Sequence, residues 1–226
     1  MLFGERVDSK YRDAIEEALD VILERGNEGH KQTARCIRES NVRINFVPLD
    51  EIKCSGVTGL NSMIRTNKRI QNGSIDFMDA FEEVHITFSD WTYDVAGQRG
   101  CQGTLVHEGL HACDFARIIS SFSKAEKEPE NVYDLSLYEL EHRAAVASAE
   151  YLVLIGKEDY IDDGLKLSLV SLDASGQPFV DMEGIKIRMQ NGYGLNEDQQ
   201  GIMISRMLGI RPRGVFSWAR FLGFSV

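Results

Sequence analysis

His107 and His111 stand four residues apart, and Glu108 directly follows the first, in the run Val106–His107–Glu108–Gly109–Leu110–His111. On a helix, positions four apart lie on one face, one turn above each other. Two imidazoles there can reach a single cation at the ~2.0–2.1 Å that zinc requires. Glu108 then sits beside such a cation rather than on it, placed to take a proton from water and return it to a leaving amine. Zinc held by three protein ligands lowers the pKa of its water to ~7, which provides a nucleophile at neutral pH. With five histidines in 226 residues, chance alone would place HExxH in roughly one such chain in a hundred. The motif supplies two ligands and a base, so a third ligand must come from elsewhere in the chain.

The run from Gly103 to Phe115, GTLVHEGLHACDF, resembles the active-site helix of the zincin metallopeptidases. The resemblance is specific over about twenty residues around the motif and weaker beyond. It implies a zinc peptidase acting on a peptide or protein substrate. It also implies a mixed sheet preceding the motif helix, with an edge strand lining the substrate cleft. Val84 to Phe88 would be that strand, able to hold an extended peptide by strand addition.

The third ligand distinguishes subgroups. A metzincin pattern would continue HExxHxxGxxH/D, but Asp114 stands in place of the glycine and Arg117 in place of the last ligand. The gluzincin arrangement takes a glutamate from a separate downstream helix, and Glu139 and Glu141 are the candidates. Glu141 shares a helical face with Ala145, Ser148, Ala149 and Leu152, the small and apolar side that should pack inward. Glu139 aligns instead with Arg143, Val146 and Glu150. A lone carboxylate on an inward stripe needs a partner, and a zinc ion would be one, so Glu141 is preferred. Ala145 stands where the best-known gluzincin pattern has an aspartate that orients a histidine. Asp114, one turn beyond His111, could take that role, or it could simply pair with Arg117.

These groups need elements to position them. Asp8 or Ser9 can cap a first helix with Tyr11, Ala14, Ile15, Ala18, Val21 and Ile22 at helical spacing, stopped by a left-handed Gly26. A second helix is expected over Gln32 to Glu39. Val42, Ile44 and Phe46 alternate with polar residues as a strand, and so do Val84, Ile86 and Phe88. Residues 54–75 suggest turns around one short element. The motif helix is expected from Gly103 to Ser120 and a second long helix from Leu135 to Ile155, with a polar surface loop between them. Residues 165–190 read as a β-hairpin around Asp173 to Gly176, and Glu197 to Leu208 as a last helix capped by Asn196. The expectation is one α+β domain over residues 1–226, zincin-like, with a small mixed sheet, the motif helix and a downstream helix carrying the third ligand.

Composition narrows the alternatives. Lys and Arg total 25 against 35 Asp and Glu, a formal charge of -10, whereas nucleic-acid binders carry a basic footprint. No apolar run approaches the ~20 residues needed to span a bilayer. The opening MLFGERVDSK lacks the apolar core of a signal peptide, so a cytoplasmic location is expected. Cys36, Cys54, Cys101 and Cys113 form no CxxC pair and read as reduced thiols. Tyr133, Tyr138, Tyr193 and His142 are conceivable donors to an oxyanion, with no spacing that selects among them. His30 and His85 read as structural. Gly109, costing ~1 kcal/mol in mid-helix, either keeps the cleft wall low or admits a close neighbour. The arginines and aromatics after Gly201 either complete the core or dock a partner. A rival to the hydrolase is a binding or regulatory protein that keeps the scaffold without turnover. No feature fixes a cleavage sequence or an oligomeric state.

Overall fold

Residues 1–124 and 132–213 are described in the computed structural model. Two parallel pairings and one antiparallel pairing build a mixed four-stranded sheet: β1 (Leu2–Phe3), β2 (Arg43–Val47), β4 (Val84–Ser89) and β3 (Gly56–Leu60), in that spatial order. Parallel strands cannot be joined by a tight turn and need a crossover. Helices α1 (Ser9–Arg25) and α2 (Glu28–Glu39) provide it between β1 and β2. The segment holding β3 and the helix Met63–Asn72 provides it between β2 and β4. The chain is thus α+β with a small mixed sheet.

The core lies between this sheet and the helices. Ile44, Ile86 and Phe88 from the strands are fully buried with Ile15 and Leu19 of α1, Ile37 of α2, and Leu105, Phe115 and Ile118 of the motif helix. Fully burying one such side chain stabilises by about 1.5–3 kcal/mol.

Several expectations shift in detail. The motif helix runs Gly97–Lys124, longer at both ends than the periodicity suggested. α2 begins at Glu28 because Asn27 and His30 form a reciprocal cap: the Asn27 side chain accepts from the His30 amide, and the Asn27 amide donates to His30 Nδ1. Gly26 is extended at φ -66°, not left-handed, since it passes directly into that cap. Residues 54–75 hold a strand and a ten-residue helix rather than one short element. The downstream helix starts at Leu137, capped by Ser136, and ends at a left-handed Gly156.

The hairpin occupies only Val170–Leu172 and Pro178–Val180. A helix, Met182–Tyr193, follows it where alternation had suggested strand, its start fixed by Asp181 accepting from the Gly184 amide. The helix Glu158–Lys166 had no counterpart in the sequence reading. Of the expected last helix only Ile204–Met207 forms, because Asn196 caps a turn, accepting from the Asp198 and Gln199 amides. Residues 214–226, half of the basic aromatic segment, lie outside the described residues, as do residues 125–131 of the polar loop.

The edge strand also differs. Val84–Ser89 is interior, flanked by β2 and β3. The strand at that end of the sheet, antiparallel to β4 and in contact with the motif helix, is β3.

Candidate metal centre

The motif helix presents His107 and His111 on one face, with their Nε2 atoms 3.1 Å apart. The downstream helix Leu137–Ile155 brings Glu141 against both: its carboxylate oxygens lie 3.5 Å from His107 Nε2 and 3.6 Å from His111 Nε2. Ligand atoms bound at ~2.0–2.1 Å to a tetrahedral zinc stand about 3.3 Å from one another. The three measured separations bracket that value, so the donor set fits a zinc ion in size and chemistry. His107, Glu108 and His111 also offer ligand atoms mutually within 4.8 Å.

His111 and Glu141 shift each other's titration. Burial alone would raise the pKa of Glu141, but contacts with His107 and His111 outweigh it and hold the carboxyl well below its usual range. Burial alone would lower that of His111, yet the charges of Glu141, Glu108 and Asp114 raise it overall. Nδ1 of His111 is buried with no hydrogen-bond partner. A positive charge is therefore favoured among these side chains, whether a proton or a metal carries it.

Glu139 is elsewhere engaged. It is exposed, and its Oε2 accepts from the Ser136 amide at 2.7 Å and from the Ser136 hydroxyl at 2.9 Å. That capping box, with the Ser136 hydroxyl accepting in turn from the Glu139 amide, fixes the start of the helix.

Asp114 does not accept a hydrogen bond from either imidazole. Its Oδ1 takes one from Tyr133 OH at 2.8 Å and one from Arg143 Nη1 at 3.1 Å, with Arg117 at 3.8 Å. It reaches His111 through charge, while its other oxygen is buried without a partner. The pairing with Arg143 ties the motif helix to the downstream helix, two residues past Glu141.

Glu108 is buried, and the edge strand secures it. Thr58 Oγ1 lies 2.8 Å from Glu108 Oε2 and 3.0 Å from the Glu108 carbonyl. Such close approach needs a glycine at position 56, where a Cβ would stand 2.5 Å from Thr104 Cγ2 and 3.0 Å from Glu108 Cγ. Thr58 and Gly56 escaped the sequence reading because they lie in the stretch read as turns. The β-branched pair Val57–Thr58 between glycines was the local signal for a strand.

Of the conceivable donors, Tyr193 alone reaches the cluster. Its hydroxyl, at the end of the helix Met182–Tyr193, donates to Glu141 Oε2 at 2.9 Å. Burial and the Glu141 charge push its pKa up, so the phenol keeps its proton. Tyr133 is held by Asp114 and Arg143, and Tyr138 stacks on His142 at 5.3 Å. His30 caps α2 and contacts the Ala147 carbonyl at 2.9 Å, a structural role. Gly109 faces α2, where a Cβ would stand 3.1 Å from Thr33 Cγ2, so of the two readings the close neighbour holds.

No protein-family profile, curated protein or solved structure matches this chain at a significant level.

Proposed function

We propose that this chain is a zinc-dependent hydrolase, a peptidase of zincin type with gluzincin-like ligation. His107, His111 and Glu141 would hold the metal, and Glu108 would serve as general base and acid. One observation carries the reading: two imidazoles and one carboxylate from two separate helices meet at ligand spacing, with Glu108 beside them and hydrogen-bonded to Thr58. A metal bound there supplies a lowered water pKa and polarisation of a carbonyl.

The side chains divide the remaining work. Glu108, bonded through Oε2 to Thr58, can accept a proton from water and pass it to a departing nitrogen. The Thr58 hydroxyl fixes the rotamer in which it does so. Tyr193 would orient Glu141 through its hydrogen bond and, as the phenol that reaches the cluster, would be a suitable donor to a carbonyl oxygen developing charge there. β3 ends the sheet, so its outer edge has backbone groups able to pair with an extended peptide.

The test is Glu108→Gln, assayed for zinc content by elemental analysis and for cleavage of a mixed fluorogenic peptide library. The expected outcome is unchanged zinc and a rate lower by roughly 10²–10⁴. Protein purified without a histidine tag that holds under a tenth of an equivalent of zinc, and gains none on addition, overturns the reading. Full zinc without turnover in the parent chain favours the scaffold that binds without catalysis.

A further inference from the structure

At the β1 end of the sheet, β1 and the turn after it stand beside β2 across a cleft of about 510 Å³. Its lining includes Phe3, Glu5, Arg6, Arg43, Asn45 and Thr87. Arg43, Asn45 and Thr87 belong to one face because Asn45 pairs in register with Thr87, and Arg43 lies two residues before Asn45. The side chains of Arg6, Asn45 and Thr87 make no hydrogen bond or ion pair among the described residues. Arg43 makes none either, and meets only the repulsive neighbourhood of His85, whose pKa is lowered by burial and then by the Arg43 charge. Arg12 of α1 holds two of the lining residues, its guanidinium over the Phe3 ring and its Nε donating to the Val7 carbonyl. Gly4 keeps Asn45 uncovered, since a Cβ there would lie 2.5 Å from Asn45 Oδ1.

The chain as a whole carries a net charge of -10. Arg65 and Arg69, by contrast, pair with Glu83. Here two arginines face one acid, Glu5, and the amide of Asn45 and hydroxyl of Thr87 sit beside them without partners. Side-chain donors on separate elements around an open cleft suit an oxyanion with several oxygens, because guanidinium forks bind phosphate through paired, charge-assisted hydrogen bonds. A planar carboxylate has only two oxygens to offer them. We infer that this cleft binds the dianion of a small phosphate monoester, at a site separate from the metal centre and independent of its chemistry.

The probe is glycerol 2-phosphate, titrated into the full chain in about 150 mM NaCl, where non-specific surface attraction is screened. Binding is followed by amide chemical shifts in ¹⁵N-labelled protein. The shifts should concentrate at Gly4 to Arg6, Asn45 and Thr87. Arg6→Gln and Arg43→Gln should each weaken binding roughly tenfold, the loss expected for one charge-assisted contact. Asn45→Asp, which adds a negative charge to the cleft with little change in shape, should weaken it as well, and Arg206→Gln, an exposed arginine elsewhere, should leave it unchanged. The inference is overturned if the shifts cluster at His107 and His111, or if Arg6→Gln and Arg43→Gln bind like the parent. Malonate binding as tightly as the phosphate ester overturns the assignment to phosphate.

Discussion

At the scale of single residues, two glutamates two positions apart have opposite fates. Glu141 turns inward onto both imidazoles, whereas Glu139 closes the cap on Ser136. Their substitutions should therefore separate cleanly. Glu141→Gln removes the one anionic member of the ligand set. It should weaken zinc binding by more than the roughly 10–100-fold that losing a ligand-orienting contact costs, as read by competition with a chromogenic chelator. Glu139→Ala should leave zinc affinity unchanged and cost about 1 kcal/mol of stability through the lost cap. Equal effects on zinc from the two variants would contradict the assignment. Thr58 offers a second residue-scale test. Thr58→Val takes away the hydroxyl that holds Glu108 while keeping the β-branched shape. A drop in kcat of about tenfold with KM little changed is expected, in line with loss of one hydrogen bond to a charged group, and Thr58→Ser should recover most of it. A valine variant with parental kcat would show that Glu108 needs no such anchor.

At the scale of elements, the site depends on how near the sheet edge comes to the motif helix. Gly56 permits that approach, and Gly56→Ala would place a methyl 2.5 Å from Thr104 Cγ2. The helix side of the contact, Thr104 and Glu108, is buried, so overpacking should cost about 1–3 kcal/mol. For a domain of this size that is a fall in Tm of roughly 3–10 °C, measured by calorimetry. An alanine variant as stable as the parent would mean that the strand has slack. The same contact explains what could be read in advance and what could not. The motif, its helix and Glu141 were legible because each is encoded by spacing along one helix: four residues between the histidines, and an inward stripe of Ala145, Ala149 and Leu152, all buried. Strand order was not, because alternation marks β4 as a strand with a buried face but says nothing of its neighbours. Val84–Ser89 gave the stronger pattern because it is buried between two partners, and an edge strand such as Gly56–Leu60, rich in glycine, gives a weak one. The helix Met182–Tyr193 was missed for a related reason: only Gly184, Ile185 and Met189 are buried, too short a stripe to show a helical period.

At the scale of the whole molecule, protons and metal compete for the same charge balance, and pH can separate them. Glu83 and His30, both away from the metal centre, are among the groups that make the fold less stable in acid. Burial would raise the pKa of Glu83, but Arg65, Arg69 and Thr66 outweigh it and hold it below its ordinary 4.5, so its contribution is present above that value and fades as pH falls through the folded one. Burial of His30 holds its pKa below 6.5 despite the Ala147 carbonyl, so its contribution also fades on acidification. His111 has the opposite sign. Its folded pKa is raised, so in the metal-free chain its contribution is complete below 6.5 and is lost as pH rises through the folded value. Zinc needs that imidazole unprotonated and must displace the proton. The rise in Tm on adding saturating zinc should therefore be larger at pH 7.5 than at pH 6. Because that rise is a difference at fixed pH, the contributions of Glu83 and His30 cancel from it. Glu141→Gln lacks the carboxylate that helps raise the His111 pKa and coordinates the ion, and should show a small rise with little pH dependence. A zinc increment that grows on acidification in the parent chain would place the ion away from His111, and with it would go the assignment of these three side chains to one metal.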